Sequence, residues 1–213
     1  MRSKFVVVLL AVAAFAACSF DSGPRDLTSL PGGNGTNAAQ QRTPGPHGGP
    51  VLLIGDSLML GAIGHGNLNL DLETDGWVPE SIAENGRSVA WAIDRIDERF
   101  KVPRYIVVVL GSNPGFSSAG FADDVIALRE ALEVRGARRI VWIPPHHPDP
   151  ERYAEKNTVL IEADRIDRML VVPDWGSVLD QHPEWISGDG LHLYDDGYVA
   201  MAAYIREQLA RLG

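Results

Sequence analysis

Val51-Leu52-Leu53-Ile54-Gly55-Asp56-Ser57-Leu58 sets four consecutive large apolar residues against a glycine, an aspartate and a serine. So short an apolar run, with no polar residue at alternate positions, suits a strand buried on both faces of a parallel sheet. The Gly-Asp-Ser after it suits a turn into a helix. Similar runs recur at Tyr105 to Leu110, Arg139 to Ile143 and Met169 to Val172, with a weaker one at Glu80 to Ala83. Between them, Val89, Ile93, Ile96 and Phe100 fall four, three and four apart, and Val125, Leu128 and Leu132 three and four apart, each marking one helical face. A last helix is expected over roughly Asp196 to Leu212, with Val199, Ala202 or Ala203, Ile205 and Leu209 against the sheet. Strands alternating with helices predict an α/β domain over 51–213, its parallel sheet covered on both sides. No internal repeat is visible.

The composition bounds the function. With 213 residues, 45% of them hydrophobic and 22% charged, the chain can bury a sizeable core. A formal charge of −9 and the lack of a Lys/Arg run exclude nucleic-acid binding by phosphate neutralisation. Cys18 is the single cysteine, so neither a disulfide framework nor a cysteine-based zinc site fits one chain.

Arg2 and Lys4 precede an apolar run from Phe5 to Ala17, too short for the roughly 20 residues of a spanning helix. Residues 1–17 therefore read as an export signal peptide. Phe15-Ala16-Ala17-Cys18 resembles a bacterial lipobox, with Phe15 in place of the usual leucine, which implies a diacylglyceryl anchor on Cys18. Cleavage after Ala14-Phe15-Ala16 is the alternative and would release the protein freely. Removing 1–17 leaves 17 basic against 28 acidic residues, a net charge of −11. Residues 18–50 are dominated by Gly, Pro, Ser, Asn, Thr and Gln, and read as the lipidated cysteine and a flexible linker.

Ser57 is expected at the carboxyl end of a parallel strand and the start of a helix, where open α/β sheets bind ligands and where a helix N-terminus favours a developing anion. Ser57 acting only as a helix cap, with Gly55 easing the turn, is the plain structural reading. A hydroxyl also needs a base. Asp189-Gly190-Leu191-His192 near the other end supplies a histidine and a carboxylate that can orient it and stabilise its charged form.

Together these blocks resemble the SGNH (GDSL-type) hydrolases. Gly55-Asp56-Ser57 resembles the serine block, Glu84-Asn85-Gly86-Arg87-Ser88 the glycine block, Leu110-Gly111-Ser112-Asn113 the asparagine block, and Asp189 to His192 the last. The resemblance implies a three-layer α/β/α, flavodoxin-like fold with no metal or organic cofactor. It implies Ser57 as nucleophile, His192 as base and acid, and Asp189 as orienting partner. The oxyanion hole would be formed by Ser57, Gly86 and the side-chain amide of Asn113. Read without it, Gly86 is a loop glycine and Asn113 a turn residue. Pro114 departs from the many relatives that carry an acidic residue or another asparagine there; it lacks a backbone donor and biases Asn113 toward extended angles.

Asp174-Trp175, His182-Pro183-Glu184-Trp185 and Gly197-Tyr198 add a resemblance to the secreted SGNH domain of bacterial cell-wall polysaccharide O-acetyltransferases. In those enzymes a multi-helix membrane acyltransferase usually precedes the domain and supplies acetyl groups. No such part is visible in these 213 residues, so both transfer and hydrolysis stand. His146-His147 lacks the spacing of a known metal-ligand set. Among the tryptophans, Trp175 and Trp185 are the candidates for stacking on sugar, with core burial as the alternative for each of the five. Asp123-Asp124 and Asp195-Asp196 are expected to cap helices.

The expectation is an exported serine esterase or O-acyltransferase using an acyl-serine, anchored to the outer face of the cytoplasmic membrane. Its substrate would be an acylated cell-envelope carbohydrate or a small ester, with a membrane acyl-donor protein as a partner. The rival is a non-catalytic envelope binding or assembly protein with a degraded site.

Overall fold

The computed structural model describes residues 48–113 and 118–212, which lie within one unit, Arg42–Gly213. The expected signal peptide, Cys18, the linker up to residue 47, and Pro114 fall outside the described residues. The elements run β1 (Gly49–Gly55), α1 (Ser57–Gly64), α2 (Leu68–Thr74), β2 (Trp77–Ala83), α3 (Val89–Asp97), β3 (Tyr105–Val109), α4 (Ser118–Val134), β4 (Arg139–Trp142), α5 (Ala154–Ile166), β5 (Leu170–Val171), α6 (Trp175–Gln181) and α7 (Asp195–Ala210). All five strands are parallel, in the order β2-β1-β3-β4-β5. This is the flavodoxin-like order.

Alternation within each strand builds two cores. Val51, Leu53, Val107, Val109 and Val141 pack with α1, α2, α6 and α7, whereas Leu52, Ile54, Ile106, Val108 and Trp142 pack with α3, α4 and α5. Every one of these side chains is at most 2% exposed, which explains why the strands read as continuous apolar runs. The chain leaves β1, pairs β2 on one side, and returns to the other side as β3. The carboxyl ends of β1 and β3 therefore flank the switch point where such sheets hold ligands.

Several sequence expectations are corrected. β1 begins at Gly49, two residues inside the expected linker; Pro50 is tolerated because only β2 pairs it, and β3 joins from Val51 onward. Phe100 is fully exposed, because α3 closes at Asp97 before the helical face reaches it. On α7 the buried stripe is Tyr198, Met201, Ala202, Ile205 and Leu209, with Val199 half exposed. Asp123 and Asp124 lie inside α4. Asp195 and Asp196 occupy the first turn of α7, facing its positive end without capping it.

Gly55 ends β1 with an ordinary φ, and its lack of a side chain serves close packing. A Cβ there would overlap the Cβ of Met59 on α1 and lie 3.0 Å from the carbonyl oxygen of Val109. Gly55→Ala is therefore expected to lower stability by about 1–3 kcal/mol through overpacking. Urea unfolding should show a lower midpoint with an unchanged slope.

Candidate active site

Asp56, not Ser57, caps α1: its Oδ1 accepts from the Leu58 N–H at 3.0 Å. That leaves the hydroxyl of Ser57, the first helical residue, available for the cleft. It lies 2.9 Å from Nε2 of His192, and Nδ1 of His192 lies 2.6 Å from Oδ2 of Asp189. An ionised carboxylate only accepts, so Nδ1 carries the hydrogen and Nε2 is left to receive the proton of Ser57. Residues 135 positions apart thus form one continuous chain.

The His192 loop is tightly tied. Oδ1 of Asp189 accepts from Ser187 Oγ at 2.7 Å and from the N–H groups of Leu191 and His192, each at 2.9 Å. The His192 bond, with those from Leu191 and Ser187, holds the Asp189 carboxyl well below the usual carboxylate range, so it stays ionised at neutral pH. Ser187 N–H donates to the carbonyl of His192 at 2.7 Å, closing the turn. Gly190 makes the turn with φ +75°, and a Cβ there would lie 2.6 Å from Nε2 of His147.

Gly86 also has a left-handed φ of +72°, and a Cβ would meet nothing within 4 Å. Backbone conformation, not space, calls for glycine here. Among the described residues its N–H has no partner. The Ser57 N–H, first in α1, has no carbonyl to bond within the helix. Asn113 differs from expectation. Its Nδ2 donates to Asp56 Oδ2 at 2.7 Å and, reaching across the end of β1, to the Arg87 carbonyl at 3.1 Å. Both amide hydrogens are thus engaged, although the residue stands at the expected edge of the cleft.

Sequence reasoning did not assign Asp56 a role of its own. It is fully buried and accepts from Ser112 Oγ at 2.5 Å as well as from Asn113 and Leu58. Burial pushes its pKa up, and the Ser112 and Leu58 bonds oppose that. The cavity that Asp56 lines with Leu58, Ile143, Trp175 and Leu193 has about 10 Å³ of free space. That is room for about one water molecule, so this cavity gives no channel for a long acyl chain.

Of the expected sugar-stacking tryptophans, Trp175 is core, while Trp185 is half-buried and stacks on His182 with ring centroids 3.8 Å apart. Trp77 and Trp142 are core too. His146 lies 3.5 Å from Asp180, and burial lowers its pKa. His147 accepts the Asp149 N–H at 2.9 Å. No group of three His, Cys, Asp or Glu side chains suited to a metal occurs among the described residues.

No family model matches the chain, and no curated protein does. Solved structures do. The C-terminal catalytic domain of Streptococcus pneumoniae peptidoglycan O-acetyltransferase A superposes with a TM-score of 0.60 at 22% identity, covering 77% of this chain and 95% of that domain. The fold is that of the SGNH hydrolases. The same SGNH fold is found in the psychrotrophic esterase EstA of Pseudoalteromonas sp., with TM-score 0.62, 17% identity, and 76% and 97% of the two chains covered. The Clostridium thermocellum family 3 carbohydrate esterase gives 0.56, 14%, 76% and 97%. This SGNH scaffold is therefore one shared by esterases and by an O-acetyltransferase domain.

Proposed function

We propose that the chain is an exported serine esterase or O-acyltransferase, lipid-anchored through Cys18, acting on O-acetyl groups of a cell-envelope carbohydrate. The observation that carries this reading is the unbroken Asp189–His192–Ser57 chain, with the N–H groups of Ser57 and Gly86 lacking a partner among the described residues. As Ser57 Oγ attacks an ester carbonyl, its proton passes to Nε2 of His192, and Asp189 stabilises the imidazolium. The carbonyl oxygen becomes an oxyanion received by the N–H groups of Ser57 and Gly86. The Asn113 amide joins them by exchanging its longer bond to the Arg87 carbonyl for the oxyanion. Collapse breaks the ester bond, His192 protonates the leaving alcohol, and acyl-Ser57 remains. A water or a sugar hydroxyl, deprotonated by His192, then takes the acyl group.

The neighbouring folds support acetyl chemistry on carbohydrate. The signal-like N-terminus supports a place at the envelope. The test is intact mass spectrometry of the full chain with p-nitrophenyl acetate, alone and with oligosaccharide acceptors. An acetyl adduct on Ser57 that water discharges gives an esterase; discharge onto sugar gives a transferase. No adduct and no turnover with acetyl or longer esters would replace this reading with a non-catalytic envelope protein.

A further inference from the structure

The chain leaves β3 through Gly111, Ser112 and Asn113, and each of these three consecutive carbonyls receives a hydrogen from the start of α5. Lys156 Nζ donates to Gly111 at 2.7 Å and to Asn113 at 3.2 Å, and the Tyr153 hydroxyl donates to Ser112 at 2.9 Å. The side chains of Ser112 and Asn113 both donate to the buried carboxylate of Asp56. The turn is thus gripped between a carboxylate on its side chains and a cation on its carbonyls.

The cation is an unusual choice for a scaffold contact. Lys156 is half-buried, with its Nζ 5.4 Å from the ring centroid of Phe121 and 5.9 Å from that of Tyr153. Burial lowers its pKa. An apolar side chain would fill the same space without desolvating a charge. What an apolar side chain lacks is the ability to hold two carbonyls at once.

We infer that Lys156, seconded by Tyr153, is a positioning residue that sets the aim of the Asn113 amide in the oxyanion hole. The inference rests on the functional reading above. Holding the Gly111 and Asn113 carbonyls fixes the backbone on both sides of Ser112, and with it the direction in which Asn113 leaves the turn. Loss of one oxyanion donor costs roughly 10²–10³-fold in kcat, so a misaimed donor should cost less, about tenfold.

The experiment is steady-state hydrolysis of p-nitrophenyl acetate by full-chain wild type, Lys156→Met, Lys156→Arg and Tyr153→Phe, with urea unfolding of each. Lys156→Met is expected to lose about tenfold in kcat with KM held within about twofold, because the donor acts on the transition state. Lys156→Arg should recover part of the loss. Tyr153→Phe keeps the ring and should lose a few-fold, and it decides the matter should Lys156→Met also unfold more easily. Unchanged kcat in both Lys156→Met and Tyr153→Phe, or a loss confined to KM, overturns the inference while leaving Ser57 acylation intact. An inert wild type overturns the functional reading and this inference with it.

Discussion

Ser57→Ala is expected to reduce hydrolysis of p-nitrophenyl acetate by ~10⁴-fold or more and to abolish the acetyl adduct, while shifting stability by no more than about 0.5 kcal/mol. The two effects separate because of local geometry. Asp56 caps α1, so the Ser57 hydroxyl contributes nothing to the helix end. Ser57 is only half-buried, and its bond to His192 joins two side chains that water can otherwise satisfy. The proposed nucleophile is thus expected to be chemically indispensable and structurally almost free. His192→Ala should cost about as much in rate, and the double variant little more, because the pair acts as one unit. Residual activity should come from N–H donors alone. A Ser57→Ala variant that kept its rate, or an adduct mapped to another residue, would move the nucleophile elsewhere.

The strands were legible because burial on both faces leaves nothing but apolar residues in them, and each of the five runs became a strand. Their ends were less so. Gly49 and Pro50 look like linker, yet the parallel pairing of Gly49 with Trp77 draws them into β1. The phase of α7 is hidden from the sequence because it depends on a partner. Gly61 on α1 leaves a slot that a Cβ would close, and the Tyr198 ring occupies it, which turns Val199 outward. Neither residue announces the other in sequence.

The site divides in the same way. Ser57, Asp189 and His192 could be picked out because acyl transfer requires those residue types, and the fold brings them within hydrogen-bond reach. The left-handed backbone at Gly86 agrees with the choice of glycine. The occupation of the Asn113 amide could not be read, since its partners come from the turn after β1 and the loop after β2, 57 and 26 residues away. Nor could the grip of Tyr153 and Lys156. Their spacing of three is ordinary for a helix start, and only the turn some forty residues earlier gives it meaning.

Asp56→Ala should be the most damaging change outside the Ser57–His192–Asp189 chain, at about 3–5 kcal/mol of stability together with most of the activity. The fully buried carboxylate satisfies three donors from two places: Leu58 in α1, and Ser112 and Asn113 in the turn after β3. Truncation strands all three and releases the Asn113 amide from its strongest partner. Asp56→Asn keeps the shape and one acceptor oxygen, so its cost should be nearer 1–2 kcal/mol. The two variants also separate by pH. Burial raises the pKa of Asp56 in the fold above the roughly 3.9 of an unfolded chain. Between those values the folded protein holds a proton that the unfolded chain has released. The stabilising contribution of that proton is complete below the unfolded pKa and is lost as pH rises through the raised one. Asp56→Asn has no such proton, so the stability advantage of wild type over Asp56→Asn should be widest in acid and narrow toward neutrality. Asp189 runs the opposite way: its lowered pKa contributes stability above the ordinary carboxylate value, lost as pH falls, and weakly so because the group is exposed. Urea midpoints of wild type and Asp56→Asn across that range decide the matter. A gap that widens toward neutral pH would mean that the hydrogen bonds to Asp56 outweigh its burial, and a constant gap that the two cancel.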